Sequence, residues 1–167
     1  MPSDASRAFS AIDVPFAYAR SWRGSVEKPG LMLALDSGGT AAGMAFRLPS
    51  GAVAEEISLL WPREMAVGSY AARWLRAKCV EGDIRVLAFV ANKRAANYVT
   101  GLSEAESARM IVNASGFLGT NLEYLLRTSA SLSEHGIKDA LVERLVRLCG
   151  DPAACAGPST PFLPIPL

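Results

Sequence analysis

One glutamate stands in company that could make it an acid–base group. Glu64 lies in the run Trp61-Pro62-Arg63-Glu64-Met65, directly after a segment of amphipathic helical pattern. A carboxylate among apolar neighbours loses hydration, and lost hydration favours its neutral form. A carboxyl tuned in that way can accept a proton and hand it back near neutral pH. The plainer reading is a surface glutamate or an ion pair with Arg63, because glutamate is seldom buried. Composition and periodicity do not lift Glu64 above that plainer reading.

The other reactive residues offer less. The single histidine, His135, lies beside Gly136 at a predicted helix end, and no GxSxG pattern accompanies it. It reads as a solvated helix-end residue. No Lys-Ser/Thr pair follows Gly38-Gly39, which reads as a turn rather than a phosphate loop. Cys79 falls in a predicted strand and reads as packed rather than reactive. Residues 114–116 with Gly119-Thr120 read as a connection between helices, which could also be an anion-friendly helix start.

Bulk properties narrow the classes further. The 167 residues suit one domain with a single core. There are 17 basic and 16 acidic residues for a formal charge of +1. No basic run calls for nucleic acid or an anionic membrane. Cys79, Cys149 and Cys155 are odd in number and irregular in spacing, which suits a reducing compartment rather than a disulfide framework. One histidine and no CxxC argue against a metal site. The N-terminus carries Asp4 and no apolar core, so it does not read as a secretory signal. The uncharged run after Asp151 holds Pro152, Pro158, Pro161, Pro164 and Pro166, which no spanning helix tolerates. The expected location is the cytoplasm.

The elements that would position Glu64 follow from pattern. Residues 1–14 read as a weakly patterned lead-in and 15–29 as polar, aromatic and turn-rich. LMLALD (31–36) and AAGMAFRL (41–48) read as strands of a hairpin around Ser37-Gly38-Gly39-Thr40. A helix over 52–61 places Val53, Ile57, Leu60 and Trp61 near helical spacing. Pro62 should mark its boundary or start a new turn, with Arg63 to Ala66 as a short separate segment. ARWLRAKCV (72–80) and IRVLAFVA (84–91) read as a second hairpin across Glu81-Gly82-Asp83. Ser103 to Glu106 and Thr120 to Glu123 read as capping boxes opening two helices, the first running to about Ala114 and the second stopped by Gly136. A third helix spans 139–149 with Leu141, Leu145 and Leu148 on one face. The predicted class is α+β: a small mixed, mostly antiparallel sheet or barrel flanked by helices, over 15–149, with an unstructured Pro-rich tail over 150–167.

Six stretches, in order, carry a resemblance. They are RGSVEKPGLMLALDSGG (23–39), GMAFRL (43–48), LLWPREM…GSY (59–70), VLAFVAN (86–92), ASGFLGTNLEYL (114–125) and HGIKDALVERL (135–145). Together they resemble the ChaC-like glutathione-specific γ-glutamylcyclotransferases. The resemblance implies a small mixed barrel flanked by helices and a reaction releasing 5-oxoproline and cysteinylglycine from glutathione. It implies no metal or cofactor, while the charge balance calls for no nucleic acid or membrane partner, and the oligomeric state is open. Glu64 matches the family's proton-shuttling glutamate. Tyr70 and Tyr124 match family tyrosines that could line the γ-glutamyl pocket or simply pack in the core. Arg63 and Arg23 are undecided between pairing and solvation.

The resemblance also departs at one place. The family's first strand ends in Tyr-Gly-Ser-Leu, a loop whose N–H groups hold the substrate, and nothing before Phe16 is comparable. Losing one such oxyanion donor typically costs about 10²–10³ in rate. The expectation is therefore an N-terminally truncated reading of an enzyme, with a late start site favoured. A non-catalytic relative, binding or scaffolding with the same fold, or completion of the sheet by a partner chain, stands as the alternative.

Overall fold

Local signals decide where the elements start and stop, and backbone pairing decides their partners. The computed structural model describes residues 6–12, 16–36 and 40–151. In chain order the strands are β1 (Ser6–Ile12), β2 (Phe16–Arg20), β3 (Gly30–Leu33), β4 (Thr40–Phe46), β5 (Tyr70–Cys79), β6 (Gly82–Ala91), β7 (Ser115–Gly116) and β8 (Gly119–Thr120). The helices are α1 (Val53–Met65), α2 (Glu104–Asn113), α3 (Asn121–Glu134) and α4 (Ala140–Cys149). The class is α+β with antiparallel sheets. Contacts gather in two compact units, Met1–Val14 with Leu35–Ala95 and Pro15–Ala34 with Ala96–Leu167.

The first unit is an antiparallel sheet in the order β4-β1-β5-β6, with α1. β5 and β6 form the expected hairpin: Cys79 pairs with Gly82 across a Val80-Glu81 loop. Gly82 takes φ 117°, a conformation a side chain would strain. Alternation sorts the two faces of this hairpin. Ala77 and Ala88 are buried on one, while Trp74, Arg76 and Lys78 are exposed on the other.

Three expectations are corrected here. Residues 6–12, read as lead-in, form β1, which pairs with β4 from Ser6–Phe46 to Ile12–Thr40 and meets β5 at Ser10–Lys78. A weakly patterned segment becomes a strand when neighbouring edges offer unpaired backbone groups on both sides. The hairpin expected from 31–36 and 41–48 does not form: β3 pairs with β2, and β4 with β1. A continuous apolar run marks a strand without naming its partner, because both faces look alike and nothing selects the register. The turn expected at Ser37 to Gly39 lies outside the described residues.

The third correction concerns Pro62, which does not break α1. It removes one helical donor, to the carbonyl of Ser58, but Ser58 is exposed and water can take that place. The carbonyl of Pro62 accepts from the Ala66 N–H at 3.0 Å, so the last turn closes normally. That turn carries Arg63 and Glu64.

In the second unit β2, in the stretch read as polar, aromatic and turn-rich, is a strand that pairs with β3. Leu31, Ala108, Ile111, Leu125, Val142 and Leu145 form the core, drawn from β3, α2, α3 and α4. The starts of α2 and α3 fall at the predicted caps. Ser103 and Glu106 complete a capping box on α2. Thr120 caps α3 through the Glu123 N–H, but the Glu123 carboxylate turns to arginines instead of closing the box. Asp139 caps α4 through the N–H groups of Leu141 and Val142. Gly136, at φ 66°, ends α3 as expected. The expected tail falls, from residue 152 on, outside the described residues.

Candidate active site

Glu64 occupies the last turn of α1, with its side chain 23% exposed. Trp61 meets Phe89 of β6 edge-on, ring centroids 6.2 Å apart, which seats α1 on the sheet. Glu64 follows Trp61 by three residues, so both project from the same helix side. The stripe of α1 thus reads Ile57, Leu60, Trp61 and then a carboxylate where an apolar residue would continue it. Glu64 Oε1 also lies 3.1 Å from Arg63 Nε. Consecutive helical side chains do not face each other, and Arg63 is largely exposed, so this pair contributes little to stability. Glu64 is thus both ion-paired and partly withdrawn from water.

Tyr70, half-buried, is the first residue of β5 and pairs with Ala91. Only the connector 66–69 separates it from the end of α1, and Ser69 in that connector is fully buried. The elements of the first unit thus bring Glu64 and Tyr70 to the two ends of one short turn.

Tyr124 belongs to the second unit, on the first turns of α3, where residues 23–33 and 114–125 meet. Asn121 is fully buried; its Oδ1 accepts from the Leu31 N–H at 2.6 Å and its Nδ2 donates to the Leu31 carbonyl at 2.7 Å. The Tyr124 hydroxyl accepts from the Leu33 N–H at 3.2 Å. Leu31 and Leu33 are two residues apart, so their amides point the same way from β3. α3 thus acts through side chains as the missing neighbour strand. Arg23 completes the arrangement, 14% exposed, with Nη1 3.5 Å from Glu123 Oε2 and its guanidinium over the Tyr124 ring at 5.9 Å. Arg23 is thereby paired rather than solvated. The glycines of this stretch are close-approach positions: a Cβ on Gly24 would lie 2.5 Å from the Lys28 carbonyl oxygen, and one on Gly30 2.5 Å from that of Arg23.

The remaining sequence candidates have structural places. His135 caps the C-terminus of α3, exposed, with Nδ1 2.7 Å from the Ser131 carbonyl. Cys79 is half-buried in β5. Residues 115–120 form the β7–β8 hairpin ahead of α3. Two asparagines that pattern did not single out, Asn92 and Asn121, hold backbone in the two units. A buried asparagine has no periodic signature, so only coordinates reveal it.

A family model described as ChaC-like protein matches residues 14–151. The chain belongs to the ChaC-like family. A protein of Escherichia coli (strain K12) named glutathione-specific gamma-glutamylcyclotransferase is 36% identical over 118 residues, 70% of this chain and 51% of that protein. The rat protein glutathione-specific gamma-glutamylcyclotransferase 1 is 29% identical over 141 residues, 80% of this chain and 64% of that one. The chain thus spans about half to two thirds of these relatives. The crystal structure of the yeast γ-glutamyl cyclotransferase specific to glutathione superposes with a TM-score of 0.73 at 13% identity, over 87% of this chain and 88% of that one, which shows a shared fold. The ChaC-like match takes in Glu64, Tyr70 and Tyr124. Among the described residues no helix is long and apolar enough to cross a membrane.

Proposed function

We propose that this chain cleaves glutathione to 5-oxoproline and cysteinylglycine, with Glu64 as the proton shuttle. The observation that carries the reading is the placement of Glu64: a carboxylate, half withdrawn from water, at the end of a helical stripe in a ChaC-like chain. The names of the Escherichia coli and rat relatives supply the substrate.

The chemistry needs one base and one acid in succession. The substrate's α-amine is protonated near neutral pH and cannot attack until it gives up a proton. Glu64 takes that proton. The amine nitrogen then bonds to the γ-carbonyl carbon, closing a five-membered ring and placing charge on oxygen. As the carbonyl re-forms, the amide C–N bond breaks and Glu64 returns the proton to the cysteinylglycine nitrogen. The ammonium nitrogen ends as a lactam N–H and so sheds two protons in all. One reaches the cysteinylglycine nitrogen through Glu64, and the other leaves to solvent, from which the released amine takes up a proton near neutral pH. Holding amine and carbonyl in ring-closing geometry can contribute about 7–11 kcal/mol. Tyr70 and Tyr124 are proposed to contribute hydroxyl contacts to the γ-glutamyl group. The proposed compartment is the cytoplasm.

The test is incubation of the purified chain with glutathione and detection of 5-oxoproline by mass spectrometry. Glu64→Gln should fold and slow product formation by about 10²–10⁴-fold. Equal turnover by that variant rejects Glu64 as the shuttle. Heat of glutathione binding in a calorimeter without product rejects the catalytic reading and leaves a binding protein.

A further inference from the structure

The angle between the end of α1 and the start of β5 is set by the connector 66–69, and the connector is held from outside itself. It turns on Gly68, at φ 65°, whose N–H donates to the Met65 carbonyl at 3.2 Å. The carbonyls of Gly68 and Ser69 both accept from a single residue beyond β6. The Asn92 backbone N–H donates to the Ser69 oxygen at 2.9 Å, and its side-chain Nδ2 donates to the Gly68 oxygen at 2.8 Å. Asn92 Oδ1 accepts from the Arg94 N–H at 3.1 Å. That third bond defines the amide's orientation, because the flipped amide would set oxygen against oxygen at Gly68 and N–H against N–H at Arg94.

Asn92 is itself anchored on both sides. The preceding N–H, of Ala91, donates to the Leu35 carbonyl at 2.7 Å. The following side chain, Lys93 Nζ, lies 2.9 Å from Asp36 Oδ1, on a carboxylate only 5% exposed. Three consecutive residues therefore tie the end of β6 to two separate segments of the first unit, and the middle one grips the turn between Glu64 and Tyr70.

We propose that Asn92 is a positioning residue: it fixes the α1–β5 junction so that Glu64, four residues before Gly68, and Tyr70, two after it, are presented in one relation. The inference rests on the reading of Glu64 as proton shuttle. The Asn92 side chain is only half-buried, so its bond to Gly68 adds little to stability. Its effect is geometric, and a displacement of about 1 Å in a proton-transfer group costs on the order of 10²-fold in rate.

The experiment uses the full chain with Asn92→Asp and Asn92→Ala. The aspartate keeps the size of the side chain and the acceptor for Arg94 but loses the donor to Gly68. Urea unfolding, kcat and KM for glutathione are measured on each, with Asn92→Asp also placed in Glu64→Gln. The expected result is a fall in kcat of about 10- to 100-fold, with KM within about threefold of the parent and the unfolding midpoint unmoved. The double variant should be no slower than Glu64→Gln alone. Unchanged kcat in both variants overturns the proposal, as does a loss of activity that tracks the loss of folded protein. If the parent itself yields no 5-oxoproline, the functional reading fails separately, and nuclear magnetic resonance decides the positioning. Shifts at the Glu64 carboxyl carbon and the Tyr70 ring in Asn92→Asp then support it, and unchanged shifts overturn it.

Discussion

Replacing Asn121 by alanine should cost the second unit more than any surface change. Asn121 and Leu31 are both fully buried, so water cannot replace what is lost. The substitution deletes the acceptor 2.6 Å from the Leu31 N–H and the donor 2.7 Å from its carbonyl. A buried polar group left unpaired costs about 1–3 kcal/mol, so two of them cost about 2–6 kcal/mol. Against a total stability of roughly 5–15 kcal/mol, that is a large share. A loss of about 4 kcal/mol should lower Tm by roughly 8–16 °C in a chain of this size. Asn121→Asp separates the two bonds, since it keeps the acceptor for the amide and turns a second oxygen on the carbonyl. It should be destabilised comparably, through a buried charge facing an acceptor. Urea unfolding gives the free energies, and amide hydrogen exchange at Leu31 and Leu33 reads the site directly. If Asn121→Ala stays within about 1 kcal/mol of the parent, below the range for even two weakly held groups, and Leu31 exchange is unchanged, the account of α3 as a surrogate strand is wrong.

Other outcomes follow from neighbouring details. Tyr124→Phe should unpair the Leu33 N–H and cost about 1 kcal/mol, the low end for a group only partly buried, with faster exchange at Leu33. Leu145→Ala, at a fully buried core position, should cost about 2–5 kcal/mol in urea unfolding. Gly119→Ala should displace the Arg23–Glu123 pair, because φ is 104° and the new Cβ would meet Glu123 Oε2 at 2.5 Å; a crystal structure of the variant reads the shift. The Ser103 hydroxyl, and then the Ser103 N–H, hold the Glu106 carboxyl below the ordinary value of 4.5. Because the folded-state value is the depressed one, the capping contribution is present above pH 4.5 and is lost as pH falls through that lower value. Exchange protection at the start of α2 should fall on acidification below 4.5 in the parent, and Glu106→Gln, which keeps an acceptor but cannot be protonated there, should lack that step.

What the amino-acid sequence settled by itself was local. Ser103 and Thr120 opened helices and Gly136 closed one, because capping needs only residues within one turn. The β5–β6 hairpin was legible because its two strands are joined by the turn that sets their register. Glu64 could be suspected, since a carboxylate stood at the end of an apolar stripe, and the family resemblance named its role. Tertiary structure decided the rest. β1 was invisible because its strand state comes from the edges it pairs with, and β3 and β4 were mispaired because an apolar run does not choose a partner. Pro62 sat inside a helix because the freed carbonyl of Ser58 lay where water could reach it. The clamps by Asn92 and Asn121 span 24 and 90 residues of chain. A single amide side chain leaves no period in a sequence, and its meaning appears only when the fold brings a distant backbone carbonyl within hydrogen-bonding reach.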